Sequence, residues 1–317
     1  RLNAVETLGR SRIILTDKKG TLTYSKLSVA QIVLPQGIYS PDQPSGDAPV
    51  PNHYLQLSLA SVLCNNAQVN SGKFTGDPIE VALLEWADNL GIEVEAIRKE
   101  FPRVRDWPFE SAKKWMATAH YNGDTKLLAV KGAIEAVLPY CDKLDTAAGI
   151  VPFEDKEKVL RQAEKLAASG LRTLAFASAD VLNEDFEELP KLNFLGFIAF
   201  LDPPRPEVKP AIHSCVNAGI QVYMVTGDHP QTAMNIASQT GLISDSDQAS
   251  FLTGAALEKI FRQEDTDKSI LQKTPVFARV APQHKLQLVE YFQQQGQVVA
   301  MTGDGINDMP ALKKADI

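Results

Sequence analysis

Beyond residue 206 the chain alternates short apolar runs with longer mixed stretches. Glu207–Ala218 reads as a helix that stops at Gly219. The next six residues, Ile220–Val225 (IQVYMV), are apolar and rich in β-branched side chains, which predicts a buried strand. The turn Thr226-Gly227-Asp228 leads into a helix over His229–Thr240, closed by Gly241. A strand at Val276–Ala278, a helix at Pro282–Gln295 and a strand at Gln297–Met301 follow, ending in the turn Thr302-Gly303-Asp304-Gly305. Near the N-terminus, Arg12–Leu15 (RIIL) reads as one more such strand, with Thr16-Asp17 at its end. Strands and helices in alternation, with turns at the strand ends, predict a parallel, doubly wound α/β sheet. Active sites in such sheets lie at the C-terminal ends of the strands.

The middle of the chain has a different texture. A helix is predicted at Ile79–Asn89, strands at Trp115–His120 and Lys126–Val130, a helix at Lys156–Ser169, and strands at Thr173–Ala179 and Phe194–Phe200. This pattern predicts an α+β domain with an antiparallel sheet, inserted into a loop of the α/β domain. The expected boundaries are 1–26 and 202–317 for the α/β domain and 27–201 for the insert. The return passes through Asp202-Pro203-Pro204-Arg205-Pro206, whose prolines fit neither a helix interior nor a central strand, so a rigid hinge is expected. Leu34–Asn52 holds five prolines among Gly, Ser and Asp and reads as a loop or linker.

Composition narrows the class. The 317 residues are about twice the ~150-residue prior for one domain. Hydrophobic residues at 44 % and charged residues at 22 % exclude a disordered, collagen-like or coiled-coil chain. A net charge of −7 argues against wrapping nucleic acid, which needs a basic surface. Cys64, Cys141 and Cys215 are too scattered for a disulfide framework or metal cluster and are expected as small apolar fillers in a reducing compartment. Leu192–Leu201, the most apolar stretch, has about half the ~20 residues that a membrane span needs. The first residues lack a signal-peptide layout.

Three strand-end turns carry the candidate chemistry: Thr16-Asp17, Thr226-Gly227-Asp228 and residues 302–308 (TGDGIND). Asp and Gly are common turn residues for local backbone reasons, so each turn alone is a weak signal. On one sheet edge they say more. Clustered carboxylates repel unless a cation sits among them, and Asp17, Asp304 and Asp308 suggest a Mg²⁺ site completed by water and substrate phosphate. Thr226 and nearby amides could hold phosphate oxygens, and Lys285, early in a helix, could offset phosphate charge; its bland reading is a solvated first-turn lysine. His213, His229 and His284 are expected to be capping or surface residues, and Trp107 and Trp115 structural.

Here the residues carry a resemblance. DKKGTLT at 17–23 resembles the phosphorylation motif DKTGTLT of the P-type ATPases, the haloacid-dehalogenase-like (HAD-like) ion pumps. TGD at 226–228, VFARVAPQHK at 276–285 and MTGDGINDMPALKKADI at 301–317 are similar to the family's other motifs, in its order. DPPR at 202–205 resembles its hinge and KGA at 131–133 its nucleotide-domain signature. The resemblance implies a HAD-like phosphorylation domain split by a nucleotide-binding domain. Asp17 would take the γ-phosphoryl of ATP, with Lys18 beside it. Asp17, Asp304 and the backbone carbonyl of Lys19 would hold Mg²⁺. Thr226, Gly227 and Lys285 would bind the phosphoryl group, with Asp228 among the catalytic residues and Asn307 and Asp308 completing the site. In the insert, TGDPIEVALL (75–84) and WPFESAKKW (107–115) are similar to further family stretches, so Glu80, Phe109, Lys114, Lys131, Gly132 and Arg172, with Arg205 of DPPR, would bind nucleotide. Without the resemblance Glu80 reads as a solvated helix residue, Phe109 as core, and Lys114 and Lys131 as surface lysines. Phe109 would stack on adenine, Gly132 would let a ligand approach the backbone, and closure about 202–206 would deliver the γ-phosphate.

One residue departs from the motif: the family has threonine where this chain has Lys19. A lysine there either reaches the phosphate as a point charge or competes with Mg²⁺. Three readings follow: the cytosolic catalytic fragment of a type II cation pump, with phosphoryl transfer to Asp17; a soluble HAD-type phosphatase or phosphotransferase; or a nucleotide-binding module impaired by Lys19. The first implies ATP, Mg²⁺ and the actuator and transmembrane domains of a parent pump as partners, a monomeric fragment, and a place on the cytoplasmic face of a membrane. It also leads one to expect that both ends are boundaries of an excised piece, with a further strand and helix after Ile317.

Overall fold

The computed structural model describes residues 9–42, 52–70, 72–146, 149–182, 188–244, 251–263, 267–303 and 308–317. Their backbone falls into two compact units. One joins the residues up to Lys26 with Asp202–Ile317, and the other is Leu27–Leu201.

The first unit is built on a five-stranded parallel sheet in the order Phe251–Thr253, Val276–Ala278, Gln221–Val225, Ile13–Thr16 and Val299–Thr302. In register, Thr16 lies beside Met224 on one side and Thr302 on the other. The C-terminal ends of these strands, at residues 16, 225 and 302, therefore lie along one edge. Ile13 and Leu15 alternate into a core with Tyr223, Phe277, Leu288 and Phe292, the last two from the helix Pro282–Gln294. Parallel strands covered in this way read as continuous apolar runs, which is why they were visible in the sequence. Phe251–Thr253 was not read as a strand in the sequence.

The second unit holds a nine-stranded, mainly antiparallel sheet. Its main path runs Gly149–Pro152, Cys141–Thr146, Leu192–Leu201, Arg172–Val181, Thr125–Gly132, Trp115–Asn122 and Arg103–Trp107, and Ser28–Leu34 also pairs with Leu192–Leu201. The helices Asn52–Leu63 and Pro78–Asn89 cover one face, packing Tyr54, Leu57, Leu83 and Trp86 against Phe176, Ile198 and Phe200. On the other face Val159 and Ala163 of the helix Lys156–Ala168 meet Val130, Phe194 and Phe197.

The loop expected over 34–52 is corrected in its described part. Leu34 ends the strand Ser28–Leu34, and Gly37–Tyr39 pairs back on it with Leu34 opposite Gly37. Ile38 and Tyr39 favour extended backbone, and Pro35-Gln36 supply the turn; Asn52 already opens a helix. Residues 43–51 lie outside the described residues. Among the described residues no helix is long and apolar enough to cross a membrane.

Candidate active site

The backbone N–H of Asp17 donates to the Thr302 carbonyl (3.1 Å), carrying the sheet one residue past Ile13–Thr16. The Thr302 hydroxyl donates to Thr16 Oγ1 (2.9 Å), which donates to the Asp17 carbonyl (3.1 Å). Asp17 then starts a wide turn over Lys18–Leu22, its Oδ1 accepting from the Lys18 N–H (2.9 Å). Gly20 sits at φ 68°, where a side chain would strain the turn. Arg205 closes it from outside, donating from Nη2 to the Gly20 carbonyl (3.1 Å) and from Nε to the Thr23 carbonyl (3.3 Å), while its guanidinium lies 5.0 Å from the Tyr24 ring centroid. The structure thus places Arg205 on the turn after Asp17, in the first unit.

Three lysines around Asp17 are held differently. Lys18 is 3 % exposed, with Nζ between Asp202 Oδ2 (3.2 Å) and Asp228 Oδ2 (3.3 Å). Lys19 is half-exposed, its Nζ 3.0 Å from Asp228 Oδ1. Lys285, the fourth residue of Pro282–Gln294, is buried with Nζ 3.3 Å from Asp17 Oδ1 and 2.8 Å from Asp308 Oδ1, so the solvated reading of this lysine is corrected. Asp308 comes this close because Gly303 has no side chain: a Cβ there would stand 2.8 Å from Asp308 Oδ2. Thr226 is buried, and its Oγ1 accepts from the Asp228 N–H (3.1 Å). Asp17, Lys19, Thr226, Gly227, Asp228, Lys285 and Asp308 line one open pocket of about 350 Å³.

Burial pushes the Asp17 carboxyl above its ordinary pKa, with Lys285 opposing. One lysine shared between two carboxylates does not cancel the desolvation. Burial would also raise Asp228, but the hydrogen bond from Lys19 and the charges of Lys18 and Lys19 outweigh it and hold that carboxyl below its usual range. The pocket is therefore short of positive charge at Asp17 and well supplied at Asp228. Among the described residues, the contacts of the Asp17 carboxylate fall on Oδ1. The raised Asp17 carboxyl and the Lys19 carbonyl are hard oxygen donors of the kind magnesium takes with water and phosphate. Asp304 and Asn307 lie outside the described residues, among which no cluster of three or more His, Cys, Asp or Glu could hold a metal.

Sequence reasoning missed Asp202. Its Oδ2 accepts from the Thr23 hydroxyl (2.6 Å) and its Oδ1 from the Lys26 N–H (3.2 Å), besides pairing with Lys18. The prolines after it drew attention to a hinge. A buried lysine needs a counter-ion, but that Lys18 is buried shows only in the fold, so the sequence carried no signal for Asp202.

In the second unit Glu80 stands in the first turn of Pro78–Asn89, which Asp77 caps by accepting from the Ile79 N–H (2.9 Å). Its carboxylate pairs with the buried Lys131 ammonium. Glu80 is thus not a solvated helix residue, nor Lys131 a surface lysine. Phe109 is 60 % exposed and not core. Lys114 is exposed, 3.2 Å from Glu135 Oε1, and Arg172 is exposed at the start of its strand. The space beside Gly132 is filled from within the fold, since a Cβ there would stand 2.6 Å from the Lys114 carbonyl and 2.8 Å from Trp115 Cα. His229 caps its helix through Nδ1, which accepts from the Gln231 N–H (3.3 Å), and His284 is a buried cap, accepting at Nδ1 from the Ala281 N–H (3.2 Å). Cys64 and Cys141 are buried, Cys215 partly so.

A family model described as P-type ATPase, cytoplasmic domain N, matches residues 53–207. The whole chain is 40 % identical over 342 aligned residues to a probable cation-transporting ATPase F of Mycobacterium tuberculosis. It is 38 % identical over 324 residues to calcium-transporting ATPase 1 of Lactococcus lactis, and 38 % identical over 345 residues to the cation-transporting ATPase pma1 of Synechocystis. The chain spans 38 %, 36 % and 38 % of those relatives' lengths, respectively.

Proposed function

Since the chain belongs to the P-type ATPase family, we propose that it is the cytosolic catalytic portion of an ATP-driven cation pump. In this reading the first unit is a HAD-like phosphorylation domain and the second binds nucleotide. The observation that carries it is the placement of Asp17 at the end of a central parallel strand, with Lys285 shared between it and Asp308. A carboxylate oxygen of Asp17 attacks the γ-phosphorus of ATP. The bond from that phosphorus to the β,γ-bridging oxygen breaks, ADP leaves with the oxygen, and an acyl phosphate remains on Asp17. Lys285 and the Thr226-Gly227 turn hold the phosphoryl oxygens, while Lys18 and Asp202 fix the turn that aims Asp17. Mg²⁺, held by Asp17, Asp304 and the Lys19 carbonyl, would supply charge neutralisation when bound.

In the second unit Phe109 offers an exposed aromatic face for adenine, and Lys131, oriented by Glu80, belongs to the same proposed set. Lys114 and Arg172 complete the proposed nucleotide set, Gly132 serves it by letting the Lys114 backbone pack beside Lys131, and Arg205 by holding the turn after Asp17. The relatives extend well beyond this stretch, so the actuator and transmembrane domains of a parent pump are its proposed partners, at the cytoplasmic face of a membrane. The pair Lys19–Asp228 favours a second reading, in which the chain binds nucleotide without transferring phosphate.

Incubation with γ-labelled ATP and Mg²⁺ separates the two. The expected outcome is acid-stable, hydroxylamine-labile label on the chain, abolished in Asp17→Asn. Nucleotide binding with no label on the unaltered chain would refute phosphoryl transfer and leave the binding module.

A further inference from the structure

The three lysines in and beside the pocket are not equivalent. Lys18 and Lys285 are buried, each between two carboxylates, and removing either leaves a carboxylate short of its partner. Lys19 is 51 % exposed and, among the described residues, pairs with Asp228 alone, whose other oxygen already faces Lys18. It can leave without stranding a buried charge, and half-exposed pairs of this kind are weak. Asp17 and Asp308, on the same pocket, share a single ammonium. Two lysines thus face the two carboxylates Asp202 and Asp228, while Lys285 alone faces Asp17 and Asp308, and the more exposed of the first two, Lys19, has a flexible four-carbon stem two residues from Asp17.

We propose that Lys19 is an exchangeable anion-binding cation: it releases Asp228 and turns onto a phosphate-class oxyanion when one enters the pocket. The proposal rests on the reading of this pocket as a phosphoryl site and adds to it a specificity residue of this chain. Of the two roles that the sequence left open for Lys19, it selects contact with phosphate over competition with the metal.

The test is calorimetric binding of inorganic phosphate to the whole chain at fixed MgCl₂, for the unaltered protein, Lys19→Met, Lys19→Arg and Lys285→Met. Phosphate binding is expected to weaken about tenfold in Lys19→Met, to recover at least half of that in Lys19→Arg, and to depend less steeply on salt in Lys19→Met. A purely structural role would not show rescue by charge together with a changed salt dependence. Unchanged phosphate affinity in Lys19→Met, with affinity lost in Lys285→Met, overturns the role of Lys19 and leaves the phosphoryl pocket standing. Tighter phosphate or magnesium binding in Lys19→Met overturns it in favour of a competing cation. Absence of phosphate binding to the unaltered chain overturns both readings.

Discussion

His120 is 2 % exposed on the strand Trp115–Asn122, with Nδ1 2.9 Å from the Phe101 carbonyl and Nε2 2.9 Å from the Thr118 hydroxyl. A carbonyl only accepts, so Nδ1 carries the proton and Nε2 accepts from Thr118. Burial lowers the ring's pKa to about 4, with the hydrogen bond to Phe101 opposing and Arg103 and Arg98 adding repulsion. In the unfolded chain the same ring titrates near 6.5. Above that pH both states are neutral and the stability is fully present. As the pH falls from about 6.5 to about 4, the unfolded chain takes up a proton that the folded chain refuses. Stability then drops by up to about 3 kcal/mol. Urea titrations at pH 7 and pH 4.5 are expected to show this loss, and His120→Gln to remove the part that titrates in that window; an equal pH slope in both proteins would refute it. This protonation state depends on neighbours distant in sequence, as do those of the active-site pocket. Asp17, Lys18 and Lys285 stand out in the sequence by their motifs. That Lys18 is buried against Asp202, 184 residues away, is a product of folding, and so is the pairing of Glu80 with Lys131.

Elements were legible where a run had the length and punctuation of its class. Val276–Ala278 was placed to the residue, and Pro282–Gln294 to within one, because Pro282 opens that helix and Gly296 follows its end. Three-residue strands such as Gly37–Tyr39 and Lys73–Thr75 were missed, since only their partners make them strands. Gly132 shows the same dependence on context. At a strand end beside Lys131 it reads as an opening for a ligand, yet it lies opposite Trp115 of the neighbouring strand Trp115–Asn122, where a methyl group would collide with the Lys114 carbonyl. Gly132→Ala is therefore expected to cost about 1–3 kcal/mol by overpacking, read as a lower urea midpoint at unchanged slope. Loss of ATP binding with an unchanged midpoint would instead put this glycine's role at the ligand.

At the scale of the whole molecule, the alternating pattern near the ends and the different texture between them made a parallel sheet and a separate antiparallel sheet legible. The strand order was not, because order is set by pairings between segments hundreds of residues apart, such as Ile13 with Val299. One consequence concerns the continuous segment Leu27–Leu201. Its two ends lie on paired strands: Ser28 is in register with Leu201, and the Ser28 hydroxyl donates to the Leu201 carbonyl (3.4 Å). Both faces of its sheet are covered by its own helices, so its core does not depend on a distant stretch of chain. A segment with adjacent ends and its own core has the makings of an autonomous folding unit. The fragment 27–201 is expected to unfold in one cooperative urea transition. If the nucleotide residues all belong to it, apart from Arg205, it should bind a non-hydrolysable ATP analogue within about threefold of the whole chain's Kd, a difference of about 0.7 kcal/mol. A broad, non-cooperative transition would refute the autonomy of the unit. A cooperative fragment that has lost the analogue would show instead that the nucleotide needs residues from 1–26 or 202–317, with Arg205 the first to substitute.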